Sequence, residues 1–303
     1  MIPKVSVVVA TRDRPEMVRE AIESILAQDF DGDIEVIVVA DQSEPDVDLS
    51  RTDAHRTVRV IRNVRSGGLA GARNTGIEAA SGAFVAFCDD DDYWLPGKLA
   101  RQVDLLVQIP QAALCTCGIE VQFDDQSYPR VLHQDRVEYD ELLEDRHTEL
   151  HPSTFVLRRR AVLDHVGLVD EGVPGGFGED YDYLLRAARF HPVLNVPEPL
   201  TVVRWGKQSF FFRRWETMAA GLTWVLERYP DFERSAVGSA RIRGQIGFAH
   251  AAMGHRRQAF KWATQAARRN PREPRVLLTL AVAAKAFSPD FVMEQLHKRG
   301  RGI

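Results

Sequence analysis

Short runs of β-branched and other apolar residues recur in the first third of the chain. They occupy residues 5–10, 34–40, 58–62 and 83–88. Runs of this length and composition are typical of strands that are buried on both faces of a parallel sheet. After the first run, the spacing of one helix face is followed by Val18, Ala21, Ile22, Ile25 and Leu26.

Helices are predicted to alternate with these strands. Pro15 predicts the first turn of the helix after the first strand, with Asp13 as its cap. Residues 69–80 and 96–108 also have helical patterns. Alternating strands and helices with right-handed crossovers predict an α/β fold, a mostly parallel open sheet with flanking helices.

The pattern changes towards the carboxyl terminus. Strand signals stop near residue 210, while residues 215–229 and 241–270 have helical periodicity. We therefore expect two domains, an α/β domain over residues 1–209 and an α-helical domain over residues 210–303. The small residues at 247–266 resemble one tetratricopeptide-type hairpin, although an ordinary helical hairpin would give the same pattern.

Charge is distributed unevenly between these two regions. The net charge of the chain is -4, yet residues 241–303 carry 13 Lys/Arg against 3 Asp/Glu, a difference of +10. A basic tail suggests an anionic partner, such as a membrane surface contacted peripherally or a phosphorylated acceptor. Alternatively, the arginines only solvate helix faces. A nucleic-acid partner is not expected, because aromatic residues are not interleaved with the basic ones.

Cysteine usage and the apolar segments indicate a compartment. Three cysteines argue against a disulfide framework, and we expect Cys115 and Cys117 to pack within a strand. The apolar start is too short for a signal peptide, and residues 276–287 fall short of a membrane span. The expected location is cytoplasmic, either soluble or peripheral to a membrane.

Polar residues follow three of the predicted strands, where an open α/β sheet binds ligands. They are Thr11, Arg12, Asp13, Asp41, Gln42, Ser43 and the run from Asp89 to Asp92. Four adjacent carboxylates repel one another, and a hard divalent cation such as Mg²⁺ or Mn²⁺ removes that penalty. A solvated acidic turn is the alternative.

The first strand is not followed by G-x-G-x-x-G, and the chain lacks a P-loop, which argues against a dehydrogenase or P-loop enzyme.

The acidic run belongs to a longer motif, FCDDDDYWLPGKL at residues 87–99. This segment resembles the D-x-D segment of family-2 glycosyltransferases. Other segments resemble further motifs of that family in the same order: SVVVATRD at 6–13, VVADQS at 38–43, GARNTG at 71–76, GEDYD at 178–182, and Arg204 followed by Ser209. The resemblance covers about residues 3 to 210.

The resemblance implies a fold, GT-A, and a reaction. One sugar would move from a nucleotide-diphospho-sugar to an acceptor hydroxyl, with inversion and with assistance from Mg²⁺ or Mn²⁺. A UDP-sugar is the first expectation and a dTDP-sugar the next. The acceptor is left open among a glycan, a lipid-linked molecule and a natural product. A nucleotidyltransferase or sugar-nucleotide-binding protein of the same fold, or a non-catalytic scaffold, is the alternative.

The resemblance also implies residue roles. Asp180 would be the general base, with Glu179 beside it, unless either is only a carboxylate at a helix start. The metal ligands would be Asp91 and Asp89. The nucleotide and donor sugar would contact Thr11, Arg12, Asp13, Asp41, Arg65, Arg73, Asp89 and Asp90.

Some roles keep alternatives. Arg73 would bind diphosphate or form a structural salt bridge. His151 and Trp205 are acceptor-site candidates, or else a loop histidine and a packing aromatic. The sequence departs from the family at Ala40, where an acid is commoner, and after Arg204, where many relatives have a histidine ligand.

Overall fold

We describe the fold from a computed structural model, which covers residues 2–123, 126–205 and 213–297. The strands are β1 (Val5–Thr11), β2 (Ile34–Ala40), β3 (Arg51–Thr52), β4 (Arg56–Arg62), β5 (Phe84–Phe87), β6 (Tyr93–Trp94), β7 (Leu114–Phe123), β8 (Gln126–Arg130), β9 (Arg136–Val137), β10 (Val156–Arg158) and β11 (Val193–Trp205). The helices are α1 (Pro15–Leu26), α2 (Leu69–Ala79), α3 (Lys98–Gln108), α4 (Tyr139–Glu144), α5 (Arg159–Ala161), α6 (Glu179–Ala188), α7 (Trp215–Arg228), α8 (Ala236–Ala252), α9 (Arg256–Arg269), α10 (Pro274–Ala283) and α11 (Pro289–His297).

One large sheet organises the α/β region. Its strand order is β3-β4-β2-β1-β5-β10-β7-β11-β6, with β8 paired to β7 and β9 paired to β11. Pairs β1–β2, β1–β5, β2–β4 and β7–β11 are parallel, whereas β10 runs antiparallel between β5 and β7. Every residue of β2 is buried, as a strand covered on both faces requires.

The chain divides into two compact units. The first consists of the described residues within Met1–Tyr139, His147–Glu171 and Glu179–Gly206, and the second of those within Asp140–Arg146, Gly172–Gly178 and Lys207–Ile303. The sheet forms the first unit. Helices α7 to α11 belong to the second, where Phe248, Ala251 and Val282 lie in one apolar cluster. The domain boundary predicted between residues 209 and 210 falls outside the described residues, and that prediction stays untested.

Several element ends differ from the predicted ones. The side chain of Asp13 does not cap α1, because the cap position is Arg14 and no side chain bonds there; Asp13 itself has φ 54. Helix α6 begins at Glu179, so both Glu179 and Asp180 lie in its first turn. Residues 241–270, predicted to be helical, fall in two helices, α8 and α9, separated at Gly254, whose φ of 78 favours glycine.

The three cysteines are buried in the sheet unit, and the strand packing predicted for Cys115 and Cys117 is confirmed. Cys115 and Cys117 lie in β7, and Cys88 follows β5. Burial raises the pKa of each thiol. The amine of the buried Lys98 lies 3.9 Å from the centroid of the Trp94 ring, and burial lowers its pKa to about 8.

Within the part of the chain that the structure describes, no helix has both the length and the apolar content needed to cross a bilayer.

Candidate active site

The carboxyl ends of three adjacent parallel strands bring the predicted polar residues together. The backbone N–H of Asp41, after β2, donates to the carbonyl oxygen of Thr11 at the end of β1 (2.9 Å). The hydroxyl of Thr11 donates to Asp90, after β5, at 2.7 Å. Side chains that are up to 79 residues apart in the sequence therefore share one edge of the sheet.

Asp41 is held at the amino-terminal end of α2. Its buried carboxylate accepts hydrogen bonds from the Gly68 backbone N–H (3.0 and 3.1 Å) and the Asn63 amide (2.8 Å). A carboxylate at this position is favoured by the helix dipole. The Gly68 N–H is thus bonded to Asp41.

Arg14 is a site residue that the sequence motifs missed. One of its guanidinium nitrogens contacts Asp90 at 3.0 Å and Asp91 at 2.9 Å. Burial, together with the charges of Asp89 and Asp90, nevertheless raises the pKa of Asp91 to about 6. Arg14 therefore neutralises the charges of Asp90 and Asp91 only in part. The carboxylate oxygens of the acidic run are ligands that suit a divalent ion.

Asp92 lies deeper than its neighbours. Its carboxylate accepts from the Ser153 hydroxyl at 2.5 Å and from the Arg204 backbone N–H at 3.3 Å. Burial, followed by the charges of Asp89 and Asp91, raises its pKa well above the usual range. Within the described chain, Asp89, Asp92 and His151 bring one potential ligand atom each within 4.8 Å of the others. His151 thus lies beside the acidic run, with its Nδ1 3.4 Å from Asp92.

The aspartates of the acidic run differ in how much of each side chain is exposed to solvent. The side chain of Asp92 is 2% exposed, against 22% for Asp89 and 33% for Asp91. A Mg²⁺ or Mn²⁺ ion that also binds substrate phosphates and water needs carboxylates that solvent can reach. Asp89 and Asp91 meet this requirement, while both oxygens of Asp92 are already hydrogen-bonded.

A buried charge network connects the acidic run to the start of α6. The guanidinium of Arg73 bonds Asp89 at 2.7 Å and Glu179 at 2.9 Å. Burial and the neighbouring Asp180 raise the pKa of Glu179 to about 7, although Arg73 opposes the change. Asp180 is half-buried beside this network. Glu179 is therefore committed to Arg73, and Arg73 has the structural salt bridge that was one of its two predicted roles.

Other predicted site residues have different surroundings. Arg65 pairs with Glu171 (2.5 Å) and Glu78 (2.8 Å), so its guanidinium is occupied within the sheet unit. Arg12 and Asp13 are exposed on the loop after β1.

Trp205 packs in a small apolar cluster with Ile119, Val121 and Val203. The guanidinium of Arg130 lies 4.6 Å from its ring centroid. These contacts are those of a packing aromatic. Ser209, the residue that follows Arg204 in the last family-like motif, lies outside the described residues.

Comparison with known proteins finds related sequences over much of the chain. The family model described as "Glycosyl transferase family 2" matches residues 6–167. The uncharacterized glycosyltransferase EpsJ of Bacillus subtilis is 32% identical over 203 residues, which is 62% of this chain and 57% of EpsJ. The UDP-Glc:alpha-D-GlcNAc-diphosphoundecaprenol beta-1,3-glucosyltransferase WfaP of Escherichia coli is 32% identical over 103 residues, 34% of this chain and 41% of WfaP. The chain thus spans about half the length of these relatives.

The fold has counterparts among solved structures. The crystal structure of S. aureus TarS 1-349 in complex with UDP-GlcNAc superposes with a TM-score of 0.60 at 16% identity, covering 98% of this chain and 92% of TarS 1-349. At that identity the likeness concerns the fold. It confirms the predicted architecture, a mostly parallel sheet with flanking helices and a helical carboxyl-terminal region.

Proposed function

Because this chain belongs to glycosyl transferase family 2, we propose that it transfers a single sugar from a nucleotide-diphospho-sugar to an acceptor hydroxyl. The observation that carries the proposal is the shared sheet edge, where Thr11 joins Asp41 to the acidic run. This edge is where open α/β sheets bind nucleotides.

The proposed donor is a UDP-sugar. WfaP is named for UDP-Glc, and TarS was solved with UDP-GlcNAc. Asp41 is the proposed acceptor for the N–H of the base, since its carboxylate is fixed by Gly68 and Asn63. Thr11 and Asp90 extend the binding surface from the base towards the diphosphate.

The proposed metal ligands are Asp89 and Asp91, the two accessible carboxylates of the run. A bound Mg²⁺ or Mn²⁺ would supply positive charge opposite the diphosphate. Asp92 orients the run through Ser153 and the Arg204 backbone.

Asp180 is the proposed general base. It accepts the proton of the acceptor hydroxyl as that oxygen bonds the anomeric carbon. The bond between this carbon and the diphosphate oxygen breaks, and the nucleoside diphosphate leaves with the electron pair. Attack from the side opposite the leaving group inverts the anomeric centre. Glu179, held by Arg73, positions the start of α6 rather than taking the proton.

The proposed acceptor class is a lipid-linked saccharide. The support is the name of WfaP, whose acceptor is a diphosphoundecaprenol-linked sugar. His151, which lies beside the acidic run, is retained as a residue of the acceptor side.

The test is a transfer assay with UDP-glucose and UDP-GlcNAc, Mn²⁺ and a GlcNAc-diphospho-lipid, followed by mass spectrometry of the lipid. We expect the Asp180→Asn variant to bind UDP as the unmodified protein does and to lose transfer by at least about a hundredfold. Transfer by this variant at the unmodified rate would refute the assignment of the base. A parallel incubation with UTP and a sugar 1-phosphate tests nucleotidyl transfer, and formation of UDP-sugar there would refute the proposed reaction.

A further inference from the structure

A pocket lies at one end of the helical unit, where four helices begin or end. Its volume is about 580 Å³. The carboxyl ends of α8 and α10 and the amino-terminal ends of α9 and α11 surround it, and it is lined by Ala251, Ala252, Gly254, Arg256, Val282, Ala283, Lys285, Phe287, Ser288 and Pro289. We call it the helix-end pocket.

The helix-end pocket has two cations on its walls. Arg256 and Lys285 are both exposed, and the lining residues include no Asp or Glu. Neither side chain forms a hydrogen bond or ion pair with any residue that the structure describes. Their positive charge is therefore available to an anionic ligand.

An exposed aromatic pair adjoins these cations. Phe287 lines the pocket and stacks on Phe291, with ring centroids 5.6 Å apart and an interplanar angle of 16°. The two side chains are 52% and 46% exposed. Aromatic side chains next to basic residues are typical of surfaces that rest in the interfacial layer of a bilayer.

The basic character of the helical unit indicates which class of partner the helix-end pocket would bind. Over residues 241–297, which the structure describes, 10 Lys/Arg stand against 3 Asp/Glu, a formal charge of +7, so a second copy of this surface would be repelled. Acids of this stretch are neutralised by neighbouring arginines: Glu273 pairs with Arg275 and Asp290 with Arg213. An anionic partner with apolar parts fits best, because the pocket wall also includes Ala251, Val282 and Ala283.

We propose that the helix-end pocket and Phe291 dock this chain on an anionic phospholipid bilayer. Arg256 and Lys285 contact lipid phosphates, while the rings of Phe287 and Phe291 enter the boundary between headgroups and acyl chains. This docking does not depend on the transfer reaction proposed above, since it involves residues of the helical unit alone.

The test is co-sedimentation of the full chain with vesicles, one set of phosphatidylcholine alone and one with equal phosphatidylcholine and phosphatidylglycerol. We expect binding to the anionic vesicles, with loss at high salt. The double variant Arg256→Gln/Lys285→Gln should bind about fivefold more weakly for each cation removed. Phe287→Ser/Phe291→Ser should also reduce binding while leaving the thermal midpoint nearly unchanged, because both rings are exposed.

Matched controls lie in the sheet unit. Arg51→Gln/Arg160→Gln removes the same charge from exposed positions, and Phe190→Ser removes a phenylalanine that is 56% exposed. Both should bind anionic vesicles as the unmodified protein does. Equal loss in the controls, equal binding to neutral vesicles, or binding to a DNA duplex but not to vesicles at the same salt would each overturn the proposal.

Discussion

At the scale of single residues, the four aspartates differ in what compensates their charges. Asp90 has both Thr11 and Arg14, Asp89 has Arg73, and the oxygens of Asp92 are hydrogen-bonded. Asp91 shares Arg14 and is the most exposed of the Asp89, Asp91 and Asp92 carboxylates. A divalent ion would therefore change the energy of Asp91 most, and that of Asp92 least.

This difference gives a prediction for Asp91 and Asp92. With UDP and Mn²⁺ at about a hundred times the dissociation constant, the unmodified protein should gain about 2.7 kcal/mol in free energy of unfolding. Asp91→Asn should lose the Mn²⁺-dependent part of this gain and keep the stability of the ligand-free protein. Asp92→Asn should lower that ligand-free stability by about 1–3 kcal/mol, because the amide oxygen replaces only one of the two acceptor oxygens and the NH2 group cannot accept from the remaining donor.

Thermal denaturation with UDP alone, with Mn²⁺ alone and with both together measures the ligand-free stability and the gain from each ligand. His151→Gln serves as the control for the second possible ligand group. If His151→Gln and Asp92→Asn abolished the Mn²⁺ effect while Asp91→Asn kept it, the ion would be held by Asp89, Asp92 and His151 instead.

Residues in local motifs could be predicted from the sequence, while their distant partners could not. The acidic run, Asp41 and Asp180 each stand in a recognisable segment. Arg14 reaches Asp90 across 76 residues, and Ser153 reaches Asp92 across 61. Such pairs depend on which strand ends are neighbours, and periodicity along the chain does not contain that information.

At the scale of elements, a glycine sets how closely α2 approaches β1. A Cβ atom at Gly76 would lie 2.2 Å from Cγ1 of Val8, well inside van der Waals contact. Helix α2 also carries Arg73, which bonds Asp89 and Glu179. The spacing between α2 and the sheet therefore fixes the position of the buried charge network.

Gly76→Ala is expected to reduce the free energy of unfolding by about 1–3 kcal/mol, the usual cost of adding a methyl group to a packed core. Urea denaturation measures the change. Because the contact is with the Val8 side chain, Gly76→Ala should cost less in a Val8→Ala background than in the unmodified protein. Equal costs in the two backgrounds would show that the helix is not limited by Val8.

Glu35 joins strands at the other end of the sheet. Its buried carboxylate accepts from Ser6 in β1 (2.8 Å), from Arg59 in β4 (3.0 Å) and from the Ser81 hydroxyl (2.6 Å). Burial opposes ionisation, yet the hydrogen bonds of Ser81 and Ser6 and the charge of Lys4 lower the pKa of Glu35 to about 2.

Glu35 should therefore make stability depend on acid pH. A carboxylate with a lowered pKa in the fold stabilises above its unfolded pKa of 4.5, and the effect is lost as pH falls towards about 2. The loss should be about 3 kcal/mol. Denaturation of the unmodified protein and of Glu35→Gln between these pH values measures it, and identical slopes in both would contradict the assignment.

The sequence predicted elements with clear periodicity and missed those with mixed burial. Strands β1, β2 and β5 are short apolar runs and were predicted closely. Strand β11 spans Val193–Trp205, but its exposed Pro197 and the register shifts near Pro199 interrupt the pattern, so the whole strand cannot be predicted from the sequence.

At the scale of the whole molecule, the two units are chemically unlike. The sheet unit contains the acidic site, while most of the helical unit lies in the strongly basic stretch. Asp140–Arg146 and Gly172–Gly178 belong to the helical unit although both lie among segments of the sheet unit. Sequence composition could show the basic tail, but these two short segments are assigned by contacts between residues far apart in the chain.

The buried cysteines allow the unfolding of the two units to be followed separately. All three are buried in the sheet unit, so the folded protein should react with a thiol reagent only when that unit opens. Mass spectrometry after timed alkylation in urea, alongside circular dichroism, should detect helix loss without labelling if the helical unit unfolds first. Labelling that preceded any helix loss would indicate the reverse order. Cys88 directly precedes Asp89, so UDP with Mn²⁺ should slow the alkylation of Cys88. The alkylation rate of this thiol would then report ligand binding at the acidic run.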